Sequence, residues 1–441
     1  MNRTVVIRFP TFKVQAYFIF FVLSQAKLLV LQIMSEAVPS SYSDPSSLLY
    51  QLESILESDP LIDEVGFVHP SQFASMSDTS PANTIDLAFW SKDHKLGIST
   101  ESIHPLYTAA KNAFMSSLQQ YKMLIPLHSK KVDNISATSS PLTVLENELM
   151  KHSRALLLLS CDFGTAWNCR KEVVLNKQDI RLYLDELSLS SLVLSCSPKS
   201  ERTWSHRRWV IKMIAGKCTN LEEILKNESD LANRIAEKSK MNYRAWNHRC
   251  WLVSYIPESQ VIDELIKYRD WAGLHVADNS CFHYRTRLMS RTLEDSWYKQ
   301  DLKATEICQL WKEEIIWSEI LIKRYIGREA LWLYRRFLSV SWIKHFAGHS
   351  GTRLDLFVEN EIKLFRCCKT IPDNVFEDYK AQAMFAATYI MWLIKEMDEN
   401  EGVRRRSVVV EKVGEEVEQV VNEVCPEKAF LLDLILTKTR V

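Results

Sequence analysis

From Leu142 to Met397, apolar residues recur at steps of three and four, the period of a helix with one buried face, and polar stretches divide them into pairs. Leu142 to Ser160 predicts a first helix, with a partner opening near Thr165. Asp179 to Cys196 pairs with Ser200 to Ala215, Leu221 to Ser239 with Asn242 to Tyr255, and Glu258 to Leu274 with Asn279 to Thr292. Leu302 to Tyr325 then pairs with Glu329 to Phe346, and Leu354 to Cys368 with Asn374 to Met397. Asp, Asn and Ser stand near several of the second-helix starts, where their side chains cap free N–H groups. The pattern predicts an all-α fold built as a right-handed solenoid or crescent of helical hairpins.

Outside that stretch the pattern weakens. Ser46 to Ser58 and Ile103 to Ile125 read as helices, Ile85 to Trp90 as a short strand or extended turn, and Lys130 to Pro141 as a polar loop. Residues 1–33 set Arg3, Arg8 and Lys13 ahead of an apolar run from Ala16 to Leu23, which Lys27 interrupts before Leu28. The run is too short to span a bilayer and leads to a poor cleavage site at Gln32-Ile33-Met34. The domain boundaries are therefore 1–33 for a gene-model extension or signal-like segment and 34–141 for a partly loose N-terminal region. Residues 142–347 hold five helical repeats, 348–397 capping helices, and 398–441 a charged linker with a C-terminal helix.

One phrase recurs inside the second helices. Trp167 precedes Arg170, Trp204 precedes Arg207, Trp246 precedes Arg249, Phe282 precedes Arg285 and Trp332 precedes Arg335, always by three residues. The residue just before the arginine is His or Tyr in every copy except the first. The aromatic positions advance by 37, 42, 36 and 50 residues (167, 204, 246, 282, 332), a spacing that fits stacked helical hairpins. Residues three apart share a helix face. Each tryptophan can bury about 150–250 Å², and the arginine beside it needs partners because an unpaired buried guanidinium is expensive. Its fork reaches carbonyls or carboxylates of adjacent hairpins, so these positions read first as glue between repeats.

Charge and composition exclude more than they assign. The 55 basic and 55 acidic residues cancel, which removes a global electrostatic case for nucleic acid or an anionic membrane. Ten cysteines are scattered without a CxxC pair, and the adjacent Cys367 and Cys368 cannot readily grip one metal tetrahedrally. They read as reduced thiols of a cytoplasmic protein, mostly core. No metal site, nucleophile–base pair, phosphate-cradling glycine loop or carboxylate dyad emerges. Alone, the chain is expected to be inert.

The phrase Asn242-Tyr243, Trp246, His248-Arg249, Trp251, repeated at these steps, resembles the repeat of protein prenyltransferase alpha subunits. The likeness spans Leu142 to Ala347 and sits best with a divergent branch of that family. It implies a crescent of hairpins wrapped around a beta subunit of the Rab geranylgeranyltransferase type, touching the starts of the second helices. That partner would carry the zinc and most of the isoprenoid pocket, and this chain would hold no cofactor of its own. The implied function is that of the alpha subunit of a heterodimeric protein geranylgeranyltransferase, using geranylgeranyl diphosphate on a protein substrate with a C-terminal cysteine.

Carried onto this sequence, the family's Pro-Lys-Asn-Tyr falls on Pro198-Lys199-Ser200-Glu201. Lys199 then takes the place of the diphosphate-directed lysine, the candidate catalytic residue. Glu201 replaces a tyrosine, and a carboxylate facing diphosphate would repel it. Asn242 and Tyr243 match the family, and Arg244 stands where farnesyltransferase alpha has a histidine; these three are the candidate diphosphate or partner contacts. Phe282 and Leu333 are further departures. Tyr243 can also simply pack between hairpins, Asn242 can be only a helix cap, and His206 and His248 read as core or interface residues. The alternative function, favoured by Glu201, is a non-enzymatic helical-repeat scaffold or adaptor. A membrane-anchored adaptor would rest on residues 14–31 alone.

Overall fold

The computed structural model describes residues 44–72, 88–128, 141–296, 301–346, 351–372, 376–401 and 403–430. The expectations for residues 1–33 and for most of the polar loop from Lys130 lie outside these ranges. The hairpins follow the apolar periodicity closely. The first is α3 (Pro141–Leu159) with α4 (Gly164–Lys177), the second α5 (Ile180–Cys196) with α6 (Glu201–Ile214), and the third α7 (Leu221–Lys238) with α8 (Tyr243–Leu252). The fourth joins α9 (Glu258–Lys267) and α10 (Arg269–Leu274) to α11 (Asn279–Ser296). The fifth joins α12 (Asp301–Arg324) to α13 (Glu329–His345), and the sixth α14 (Gly351–Cys368) to α15 (Glu377–Glu401).

Caps set the second-helix starts. Ser200 accepts the Thr203 N–H ahead of α6 and Asn242 accepts the Ala245 N–H ahead of α8. The expected single helix from Glu258 to Leu274 is divided at Tyr268, whose φ of −99° and ψ of 9° leave the helical basin. Tyr268 is buried, and its ring lies under the Arg249 guanidinium.

Ahead of the hairpins, α1 (Pro45–Ser58) and α2 (Ile103–His128) pack with three strands, β1 (Glu64–Val68), β2 (Phe89–Lys92) and β3 (Lys95–Ser99). The order is β1-β3-β2, with β1 parallel and β2 antiparallel to β3. This small sheet is an addition to the all-α expectation, and only β2 overlaps the extended stretch read from sequence. Asp93 and His94 both have positive φ, giving the two-residue turn between Lys92 and Lys95 without the glycine that usually advertises one. Val65, Leu96 and Ile98 bury into a core shared with α1, α2 and the first hairpin. The Val65 N–H also donates to Ser195 Oγ on α5 at 2.9 Å.

At the other end, α16 (Val403–Val424) lays Val409, Val413, Val417 and Val421 onto the core of the later hairpins. Glu416 receives Arg366 at 2.8 Å and Lys369 at 2.6 Å. The charged stretch expected as a break at 399–406 is helical up to Glu401 and again from Val403. Among the described residues, no helix is long and apolar enough to cross a membrane.

Candidate functional site

Each motif arginine is buried, and in four of the five its fork takes a carboxylate from the next hairpin and a carbonyl from the first helix of its own. Arg170 donates from Nε and Nη2 to Glu186 at 3.0 and 2.5 Å, and from Nη1 to Ser153 Oγ at 2.8 Å and the Met150 carbonyl at 2.6 Å. Arg207 meets Glu228 at 3.0 Å from Nε and the Leu187 carbonyl at 2.5 Å. Arg285 takes both oxygens of Glu314 at 2.9 and 2.8 Å with the Leu265 carbonyl at 2.9 Å. Arg335 takes Glu361 at 3.0 and 2.5 Å together with Ser318 Oγ and the Ile315 carbonyl. In these four copies the accepting carbonyl stands 20 residues before the arginine.

The same glutamates accept a second hydrogen bond from their own hairpin. His206 Nε2 reaches Glu186 at 2.8 Å and His248 Nε2 reaches Glu228 at 3.0 Å. Tyr284 donates to Glu264 at 2.6 Å, Tyr334 to Glu314 at 2.6 Å and Tyr389 to Glu361 at 2.7 Å. Adjacent positions on a helix point about 100° apart. The arginine therefore reaches forward to the next hairpin while the residue before it reaches back to its own. The glutamates were missed in the sequence, although four of them sit 20 residues ahead of the His or Tyr they accept from. Glu361 and Tyr389 also carry the network into the sixth hairpin, which lacks the aromatic–arginine phrase.

Arg249 departs from the pattern. Only its Nη2 finds partners, Glu264 at 2.9 Å and Ser229 at 3.2 Å, while the rings of Tyr268 and Tyr284 lie 3.8 and 4.3 Å from its guanidinium carbon. Aromatic faces replace part of the hydrogen bonding here.

Electrostatics follow from these partners. Burial pushes the Glu186 carboxyl up, but the Arg170 guanidinium and the His206 hydrogen bond outweigh it and hold it at about 2. Glu228 is held at about 2 in the same way by Arg207 and His248. Burial pushes both histidines down despite the neighbouring carboxylates, because each arginine already supplies the cation. The two histidines and two glutamates are spent inside the hairpins.

The carried-over positions lie instead along the rim where loops enter the second helices. Lys199 is exposed in the turn before α6, and Tyr243 is 62% exposed at the first turn of α8. Arg244 Nε lies 3.1 Å from Glu201, which also receives Arg208 at 2.7 Å. The Glu201 carboxylate is therefore compensated twice, and Arg244 bridges α8 to α6. Asn242 is buried: its oxygen caps α8 while its Nδ2 donates to the Pro198 carbonyl at 2.9 Å. Trp204 Nε1 donates to that same carbonyl at 3.1 Å, and Ser200 Oγ donates to Asp162 at 3.0 Å. Asn242 thus fastens the Lys199 turn from behind rather than lining the rim. Met241, Leu274 and Leu333 are exposed near the same second-helix starts, so the rim alternates cationic and apolar character.

Trp167, Trp204, Trp246, Phe282 and Trp332 are all buried, as spacing predicted. The indole N–H groups reach the Cys161 carbonyl, the Pro198 carbonyl, Asp278 and Gln382. Phe282 has no such donor and packs 5.3 Å from the Tyr334 ring. Among the described residues no group of three or more His, Cys, Asp or Glu side chains is placed to hold a metal.

Comparison with known proteins agrees with this arrangement. The protein prenyltransferase alpha subunit repeat matches residues 183–214 and 225–256. Protein prenyltransferase alpha subunit repeat-containing protein 1 of Homo sapiens is 31% identical over 258 residues, covering 48% of this chain and 63% of that protein. The 1-B protein of Xenopus laevis is 30% identical over 260 residues, 49% of this chain and 59% of that protein. The Danio rerio protein is 31% identical over 243 residues, 44% of this chain and 55% of that protein. The matched part of the chain spans less than two thirds of the length of these relatives. The second and third hairpins therefore resemble the protein prenyltransferase alpha subunit repeat over residues 183–214 and 225–256, and about half of the chain is similar to proteins that carry it.

Proposed function

We propose that the chain is the alpha-type subunit of a heterodimeric protein geranylgeranyltransferase, inert alone, that binds a beta chain of the Rab geranylgeranyltransferase type. The rim of Lys199, Tyr243 and Arg244, flanked by Met241 and Leu333, meets that partner and the diphosphate end of geranylgeranyl diphosphate. Zinc and the protein substrate's C-terminal cysteine belong to the partner's pocket. A leaving diphosphate gains negative charge as its bond to the isoprenoid breaks, and cations aimed at it stabilise that charge. The carrying observation is the pairing of Glu201 with both Arg208 and Arg244. It neutralises the one carboxylate that would repel diphosphate beside Lys199. A cytoplasmic location belongs to this reading and is supported by ten cysteines that form no disulfide with one another.

Kinetics of the heterodimer test it. Lys199→Ala and Arg244→Ala are expected to lower geranylgeranyl transfer by about 100–1000-fold, the range for losing an electrostatic contact to developing charge, while the beta chain still co-purifies. Unchanged transfer would remove these residues from the reaction and favour the scaffold reading.

A further inference from the structure

Away from the rim, the C-terminal end of α1 meets α3, α4 and α5 around a cleft of about 410 Å³. That is the size of an ordinary small-molecule site. Its wall is largely apolar, with Ile62, Met150, Val173, Leu189 and Leu192 among the lining residues. Four cations also line it, and three are already matched. Lys151 pairs with Glu57 at 3.1 Å, Lys177 with Glu146 at 3.2 Å, and Arg170 with Glu186. Arg154 is the exception. Its Nη1 donates to the Leu56 carbonyl at 3.3 Å, its Nε is buried without a hydrogen-bond partner, and no carboxylate among the described residues pairs with it.

A half-buried guanidinium without a paired carboxylate is costly, and here it borders an open, mostly apolar space. Burial and then repulsion from Arg170 push the Arg154 guanidinium down from its usual value, and the attraction of Glu57 and Glu53 offsets only part of that. Asp185 lines the cleft as well and is exposed, with no ion-pair partner among the described residues. A ligand there would meet one unmatched cation and one unmatched carboxylate.

We propose that this cleft is a binding site for a small oxyanion, a carboxylate or phosphate group carried on an apolar body, with Arg154 as the anion's anchor. The guanidinium fork suits either oxyanion, and Asp185 favours a ligand that also carries a hydrogen-bond donor. The site is separate from the rim and independent of the prenyl-transfer reading.

Thermal unfolding of the full chain tests the site, with inorganic phosphate and succinate as probes against sodium chloride at matched ionic strength. At least one oxyanion is expected to raise the melting temperature by about 1–2 °C near saturation, and the more effective probe distinguishes phosphate from carboxylate. Arg154→Met is expected to abolish that rise without lowering the melting temperature of the unliganded chain. Asp185→Asn, which relieves repulsion, is expected to strengthen oxyanion binding several-fold and supplies a readout if Arg154→Met does not fold. No response to either oxyanion, a response kept in Arg154→Met, or one weakened in Asp185→Asn would overturn the proposal.

Discussion

At the residue scale, the fold depends on carboxylates shared between hairpins. Glu228 is buried with Arg207 on one side and His248 on the other. Removing one member leaves a charge in a place that water cannot reach. Arg207→Met is therefore expected to destabilise the chain by about 3–5 kcal/mol, read as a lower urea midpoint. Glu228→Gln in that background should recover part of the loss, because the orphaned charge goes with it. The histidines add a pH dependence. His248 has a folded pKa below its ordinary 6.5, so the unfolded chain takes up the proton first. Its contribution to stability is full above pH 6.5 and is lost as pH falls through the folded value. Glu228, held at about 2, keeps its contribution until pH drops below its ordinary 4.5. The fourth and fifth hairpins use tyrosine at the equivalent position, so His248→Tyr is expected to flatten the decline between pH 6.5 and 5. An unchanged decline in urea titrations across that range would contradict the neutral, hydrogen-bonded histidine.

At the element scale, the hairpins were legible because each carries its own apolar face, and Ser200, Asn242 and Asp278 cap the second helices of three of them. The recurring Trp and Arg could be read as inter-repeat glue from spacing alone. Their partners could not, since five glutamates are hidden among 55 acidic residues and lie on the first helix of the following hairpin. The sheet was partly invisible because its tight turn is made by Asp93 and His94 at positive φ, without the glycine that usually marks such a turn. Lys199, Tyr243 and Arg244 were carried over as candidates from the resemblance, whereas the contacts of Asn242 and Glu201 join segments more than 40 residues apart that the sequence does not connect. Loops also fasten the last hairpin. Gly327 has a φ of 72°, and an added Cβ would lie 2.9 Å from the Asp378 carbonyl oxygen. Its N–H donates to Gln382 at 2.9 Å. Gly327→Ala is expected to cost about 1–3 kcal/mol, seen as a lower melting temperature in a chain that still folds.

At the scale of the whole molecule, forward-reaching arginines and backward-reaching His or Tyr residues join six hairpins in series. The N-terminal helices and sheet close one end, and α16 covers the other. Buried chemistry is consumed in holding that series together, while on the rim of second-helix starts Lys199 and Tyr243 are exposed and Arg244 is paired with Glu201. The proposed alpha-type role rests on that division between a packed series of hairpins and an exposed edge. The most direct test is co-expression of the full chain with a Rab geranylgeranyltransferase beta subunit, followed by purification and an assay of geranylgeranyl transfer. A stoichiometric complex that transfers lipid to a C-terminal cysteine, with neither chain active alone, is the predicted result. Failure of the two chains to associate would contradict it.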